Sequence, residues 1–501
     1  VSHNALVWID PHNSDWDNIA TITGDQSWSA SNMWQYLDRA QEWIPTTPVD
    51  PSLFMQDKQY VQQIDAGAKV MGVGPSSRDA LSAFPSLLKN PNSRTPGRDA
   101  EQGFFDVPLI TKNGARHAVR DFIVDTVNAG YPLTVRTDCH VTKVIFDTSE
   151  DIPRATGVQF LDGQHLYHAS PMSGAKGKPG SAKATKEVIL AGGVYNTVQM
   201  LKLSGIGPAT ELKSFGIKPL VNLPGVGTNM QDRYEIPVNV LHQKNFTILN
   251  GCTSDASPSD ECYKTWADHP KDLNASRGAY SSNGIAAAMG VRSNYAANSD
   301  LDLFIFAGAF DFTGYFPGWP AATLPDHKHF SWYMLKAHAR NTAGTVHLRS
   351  ADPLDPPMIN FNYFDTGTTA NGEDEEDLGA LVQAVHMARQ ALSNYASYNT
   401  LGGSSFVEQN PGPNVTSDAD IKQFIKDHAW GHHASCTNKI GANSDPNAVL
   451  DSQFRVRGTR ALRVVDASIF PKIPGIFIQA PIIMASEKAA DVILNGLGRD
   501  S

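Results

Sequence analysis

The chain has 501 residues, 41% of them hydrophobic, and a formal net charge of −10. That allows a large buried core, most simply two domains that interleave, and argues against a nucleic-acid partner. No apolar run reaches the roughly 20 residues that a membrane-spanning helix needs, so the chain is read as soluble, with no membrane partner.

Residues 11–40 read as a loop followed by an amphipathic helix, with Ser29 or Ser31 as its N-cap and Met33, Trp34 and Leu37 on its buried side. Residues 45–113 alternate proline-rich loops with short helices, and their polarity suggests a surface cap. A helix-like stretch at 117–130 leads into 133–147, an alternating strand pair by pattern. The lysine-rich run 168–186 is read as a solvated hairpin loop rather than a docking patch. From Glu187 the apolar run VILAGG ends at paired glycines, where a missing Cβ lets the backbone come close to a ligand. A helix carrying Met200, Leu201 and Leu203 follows.

Of four cysteines, Cys252 and Cys262 flank a polar loop in which a local disulfide is geometrically easy, two unrelated thiols being the other reading. Sequons at Asn245, Asn274 and Asn414, taken with that disulfide, favour a secreted glycoprotein. Alternating stretches at 300–310, 330–339 and 344–350 predict a large antiparallel sheet. Residues 372–392 open with carboxylates, which suit a helix N-terminus, and continue as an amphipathic helix. The aromatic residues of 309–320 line a pocket or belong to a core; the pattern alone does not separate the two.

The stretch from Trp430 to Asp491 holds adjacent histidines, His432 and His433, then an apolar run from Ala461 to Val465 closed by Asp466, a Pro/Gly turn, and an alanine-rich helical run from Pro481. A strand ending in Asp, a turn and a helix present free helix N–H groups to an anionic or electron-rich cofactor. His432, His433 and Cys436 lie within five residues of one another, at a spacing that matches no common zinc pattern, so no metal is assigned.

Here the residues carry a resemblance. HASCTNKIG at 433–441, VVDASIFP at 464–471 and SEKAADVI at 486–493 resemble the C-terminal signature of the glucose-methanol-choline (GMC) flavoprotein oxidoreductases. EVILAGGVYNTVQMLKLSGIGP at 187–208 resembles the family's second signature, with Val198 in place of its usual proline, and LPGVGTNMQDR at 223–233 resembles a further family segment. The resemblance implies a mixed α/β and α+β fold. Its discontinuous Rossmann-like FAD-binding domain would be built from 1–25, 110–235 and 445–501, and its substrate or cap domain from 26–109 and 236–444. The strand, G-x-G-x-x-G turn and helix that open the family's chain are missing here. A separate N-terminal fragment, still bound and completing the FAD site, is therefore expected, the alternative being that the sequence is itself a fragment.

The resemblance also implies a reaction: oxidation of a small-molecule alcohol to the carbonyl compound, with flavin N5 as hydride acceptor and His433 as general base, a role that suits a neutral imidazole. His432, one residue earlier, would point to the opposite side of an extended segment. The family's second catalytic position, usually His or Asn, falls on Phe477, and a flavin-contacting Asn falls on Gln479. Phenylalanine neither accepts a proton nor hydrogen-bonds a substrate oxygen, so either His433 works alone or another side chain, Gln479 among them, takes the second role. Cofactor contacts are expected from Asn4, from the backbone of Val141 near the adenine, and from Asp466 and Ala467 on the ribityl-pyrophosphate side. His3 matches the place where some family members attach FAD covalently, or it packs near the flavin. Phe477 keeps open a non-redox cyclisation or lyase reaction with FAD as a structural group; a catalytically inactive binding protein is a third reading.

Overall fold

The computed structural model describes residues 5–73, 88–255, 257–269, 277–323, 327–398 and 404–496. His3, Asn4 and the sequon at Asn274 lie outside them. Trp16, Ile19 and Ala20 recur at helical spacing and are buried in α1 (Asn13–Thr23), which ends at Gly24 in the left-handed conformation. Residues 11–28, expected as loop, therefore begin with a helix, its periodicity masked by the polar Asn13-Ser14-Asp15 start. Ser29 is the N-cap residue of α2 (Ala30–Gln41), where Met33 and Leu37 are buried. Trp34 stays partly exposed and donates its indole N–H to Asn13.

Along the chain follow α3 (Lys58–Val70), β1 (Gly103–Phe105) and α4 (Val119–Asn128). Next come β2 (Cys139–Asp147), β3 (Arg154–Asp162), β4 (Lys178–Lys183), β5 (Val188–Leu190) and α5 (Gly193–Leu203). The second half supplies β6 (Tyr234–His242), β7 (Ile285–Val291), β8 (Leu303–Gly308), β9 (His329–Lys336), α6 (Glu373–Ala396), β10 (Phe406–Asn410), β11 (Leu462–Val464) and α7 (Gln479–Gly496). Residues 133–147, expected as a strand pair, hold the single strand β2, whose partner is β3. Part of the expected loop 168–186 is β4, which extends that sheet.

The large antiparallel sheet has the order β1-β7-β8-β9-β6-β10. The segment 344–350 stays outside it, Thr345–His347 pairing with Met358–Asn360. Register separates the faces: Val238 opposes Trp332 and Ile236 opposes Met334, which places these side chains on one face. That face packs beneath α3 and α6. Gly67 of α3 lies flat on the indole of Trp332, where a Cβ would come within 2.3 Å of the ring. Gly67→Ala is expected to lower stability by about 1–3 kcal/mol through overpacking, outweighing the ~1 kcal/mol that alanine gains in a helix. A lowered urea midpoint checks this.

Glu235, Phe306 and Tyr333 stand on the opposite face of the sheet, towards a second core built on α1, α2, α5, β5, β11 and α7. β5 and β11 pair in parallel, and residues 454–456 bridge β11 on its other side through Arg455 and Arg463. Close by in sequence, α4 buries none of its residues, leaving Phe122, Ile123, Val124 and Val127 between 37% and 41% exposed. Cys252 and Cys262 are joined, with Cα atoms 4.9 Å apart.

Candidate active site

Residues 231–235 and 430–435 form the site's frame through two short backbone bridges. Trp430 and Glu235 exchange hydrogen bonds of 2.8 and 3.1 Å, and Gln231 and Ser435 exchange bonds of 3.2 and 2.9 Å. Between these bridges 431–434 oppose the shorter 232–234, so the histidine segment bulges. A Cβ on Gly431 would lie 2.4 Å from the Arg233 carbonyl oxygen, which fixes glycine at that close approach. The bulge overturns the expected splay of the two histidines: the rings of His432 and His433 stack, with centroids 4.2 Å apart.

His433 is 4% exposed, and its backbone N–H donates to Asp232 at 2.8 Å. Its Nδ1 is enclosed without a partner. Burial, then the neighbouring His432 and Arg233, push its pKa well below the ordinary imidazole value. His432 goes the other way. Burial opposes its charge, yet the Glu235 carboxylate, hydrogen-bonded to Nε2 at 2.7 Å, holds its pKa above the ordinary value. The adjacent imidazoles are thus pushed in opposite directions, His433 towards the neutral form and His432 towards the protonated one, the pattern that separates base from acid. Burial also pushes the Asp232 carboxyl up to about 6, despite the N–H groups of His433 and Arg233.

Phe477 packs edge-to-face on His433 at 5.7 Å and on Phe304 at 5.6 Å. It belongs to the sheet's core, whereas Ala480, three residues on, belongs to the other, so the site lies where the two cores meet. Gln231 accepts from Ile473 N–H and donates to Pro471 O, and Arg233 donates to Pro474 O and Gly475 O. The Gln231-Asp232-Arg233 run therefore holds both the histidine segment and the loop that delivers Phe477 and Gln479.

A cavity of about 470 Å³ opens on this junction. His432, Glu235 and Phe477 line it, together with Phe310, Phe312, Tyr315 and Trp319, which settles the open reading of 309–320 in favour of a pocket. His433 packs against two of these lining rings, His432 and Phe477. Glu235 was missed by sequence reasoning; the available signal was one carboxylate in the otherwise apolar alternation of Tyr234–His242.

On the other side of the second core, Asp466 accepts from Gly193 N–H at 2.9 Å, Thr197 Oγ1 at 2.6 Å and Ser468 N–H at 2.8 Å. These bonds fix the start of α5 at the Gly192-Gly193 turn. Val198, which stands in place of the family's usual proline, lies buried inside the helix. Ala467 follows in a single 3₁₀ turn. A cleft of about 580 Å³ is lined by Val141, Leu190, Gly192 and Asn196. Gln479 begins α7, and its Nε2 is buried without a partner. Of His432, His433 and Cys436, the structure brings the two histidines together with Glu235, their donor atoms within 4.8 Å of one another, and Cys436 is not among them.

Comparison with known proteins fits this geometry to a family. The GMC oxidoreductase model matches residues 2–235 with its N-terminal part and 340–486 with its C-terminal part. An oxygen-dependent choline dehydrogenase of Vibrio vulnificus (strain YJ016) is 30% identical over 495 residues, covering 99% of this chain and 79% of that protein. The chain belongs to the GMC oxidoreductase family.

Among solved structures, a variant of the formate oxidase of Aspergillus oryzae RIB40, studied for modification of its FAD, superposes with a TM-score of 0.76 at 19% identity over 99% of this chain and 83% of that one. A fungal aryl-alcohol oxidase gives 0.69 at 20% identity, over 99% and 84%. These likenesses establish the fold. Members of the GMC family are oxidoreductases that bind FAD. The described residues fit that group: the buried, unpartnered amide of Gln479 and the free N–H groups opening α7 offer donors to its ring, and the cleft beside Val141 and Gly192 offers it room.

Proposed function

We propose that the chain oxidises the CH–OH group of a small-molecule alcohol to a carbonyl. The observation that carries the reading is the enclosed, neutral imidazole of His433 at the meeting point of the two cores, beside Phe477 and Gln479. Bound FAD supplies a two-electron acceptor for the substrate's hydride. With Nδ1 enclosed, Nε2 of His433 is the nitrogen left to take the hydroxyl proton. Asp232 and Gly431 fix where that ring stands, the aromatic wall excludes water, and the N-terminal N–H groups of α7 would favour negative charge on a flavin held there. Anaerobic mixing with alcohols tests the reading: bleaching of the flavin absorption is expected.

Phe477 supports a second reading, a non-redox cyclisation or lyase reaction over a structural FAD, because an aromatic hydrocarbon stands where a proton acceptor is expected. Turnover without bleaching would favour it.

Three further parts of the proposal rest on separate observations. His3 attaches FAD covalently, supported by the match of His3-Asn4 to the family's attachment position; the mass of the denatured N-terminal peptide is expected to carry the flavin. A separate N-terminal fragment completes the FAD cradle, a reading supported by the exposed apolar side chains of α4 and by β5, which pairs with β11 alone among the described strands. Export and glycosylation are supported by the disulfide and by sequon residues Asn245 and Asn414, both exposed. Glycosidase treatment of the native protein is expected to lower its mass.

A further inference from the structure

The cavity's walls are mainly rings, among them Phe306, Phe310, Phe312, Tyr315, Trp319 and Tyr333, several packed edge-to-face on one another. Its polar groups are largely engaged within the protein. Tyr280 donates to Asp260, Tyr333 to the Phe310 carbonyl and Asn283 to the Ala5 carbonyl, while Ser282 accepts from Gly284 N–H. Glu235 differs. Its Oε1 takes the His432 hydrogen bond at 2.7 Å, and among the described residues no hydrogen bond reaches Oε2. That oxygen is not one of the buried, unpartnered polar atoms, so it faces the cavity, where a ligand donor can take the place of water.

The company of that carboxylate decides which donor. A free carboxylate among aromatic rings would suit a cation. Here the His432 imidazole already occupies Oε1 at 2.7 Å and is stacked between Tyr315 at 4.8 Å and His433 at 4.2 Å, so one oxygen alone is open to a ligand. A bulky cation would have to share that carboxylate with the ring. A neutral hydroxyl needs only the open oxygen and gains a charge-assisted bond.

We propose that the Glu235–His432 pair is the specificity determinant of this cavity, its carboxylate accepting a hydrogen bond from a second hydroxyl on a neutral aromatic alcohol, so that hydroxylated ring systems are the class selected. The inference rests on the alcohol-oxidising reading for the word alcohol, but its test reads binding alone. Quenching of tryptophan fluorescence, Trp319 being in the wall, gives dissociation constants for hydroxynaphthyl methanol, its naphthyl methanol parent and choline. The intact protein is expected to bind the phenolic compound roughly tenfold to a hundredfold tighter than the parent, as a hydrogen bond to a charged group allows, with choline weakest. In Glu235→Gln the advantage shrinks to a few-fold. Equal affinity for the two naphthyl compounds in the unaltered protein, or tighter binding of choline than of both, overturns the proposal without recourse to any variant. Absence of flavin bleaching by every alcohol would sink the oxidation reading while the binding ratio still judged the cavity.

Discussion

His433→Ala is expected to slow anaerobic flavin reduction by about 10²–10⁴-fold, the usual worth of a positioned base. Stopped-flow absorbance at saturating alcohol measures it directly. Substrate affinity should fall far less than the rate, because His432, Glu235 and the aromatic rings make up the cavity's lining. The pH dependence separates a base from a packing residue. Burial holds the imidazole's pKa well below 6.5, so the neutral form persists as the solution is acidified from pH 8 through pH 6.5. The reduction rate should stay flat over that interval and fall below it. A fall centred on the ordinary imidazole value would assign the proton to another group, and an unchanged rate in His433→Ala would remove the histidine from the chemistry altogether.

Arg233→Met should produce the largest loss of stability. The side chain is fully buried, its pKa pushed down to about 10 by that burial, and its Nη2 donates to both Pro474 O and Gly475 O at 2.5 Å. Methionine matches much of its length and none of its donors. Two buried carbonyls lose their partner and Asp232 loses its neighbouring charge, a combination worth about 3–5 kcal/mol. Urea denaturation measures the loss. Because the same two carbonyls belong to the loop that leads to Phe477, Gln479 and α7, weakened FAD retention should accompany it, whereas a substitution confined to the sheet's other face should leave retention intact. Arg233→Lys keeps the charge and offers one flexible donor in place of a planar fork, so it should recover only part of the stability.

What the sequence made legible follows how local each signal is. The alternating strands β8 and β9, the acidic start of α6 and the Cys252–Cys262 pairing all depend on neighbours along the chain, and the structure has them. The family resemblance pointed to His433, and the alanine-rich run pointed to a helix from Pro481, which begins two residues earlier, at Gln479. The stacked arrangement of His432 on His433 was not legible, because an extended segment would separate the rings and the bulge depends on hydrogen bonds to 231–235, nearly two hundred residues earlier. Glu235 escaped for a related reason: β6 is buried on both faces, so alternation along it does not say which side faces a cavity. Helix α1 was lost to the polarity of residues 13–15, although Trp16, Ile19 and Ala20 carried its period.

The bond between Cys252 and Cys262 ties the loop that brings Leu249, Ser254 and Tyr263 to the cavity wall. Of this loop region Ile248 and Leu249 pack on the sheet's core, and the buried residues of both cores come from other segments. A chain synthesised in a reducing cytosol would thus keep its sheet and helices while one side of its binding chamber loosened, since the cross-link's contribution is to limit what an unfastened loop can explore. Preparations made with and without an oxidising compartment should consequently look alike by circular dichroism and differ in how well they hold a ligand.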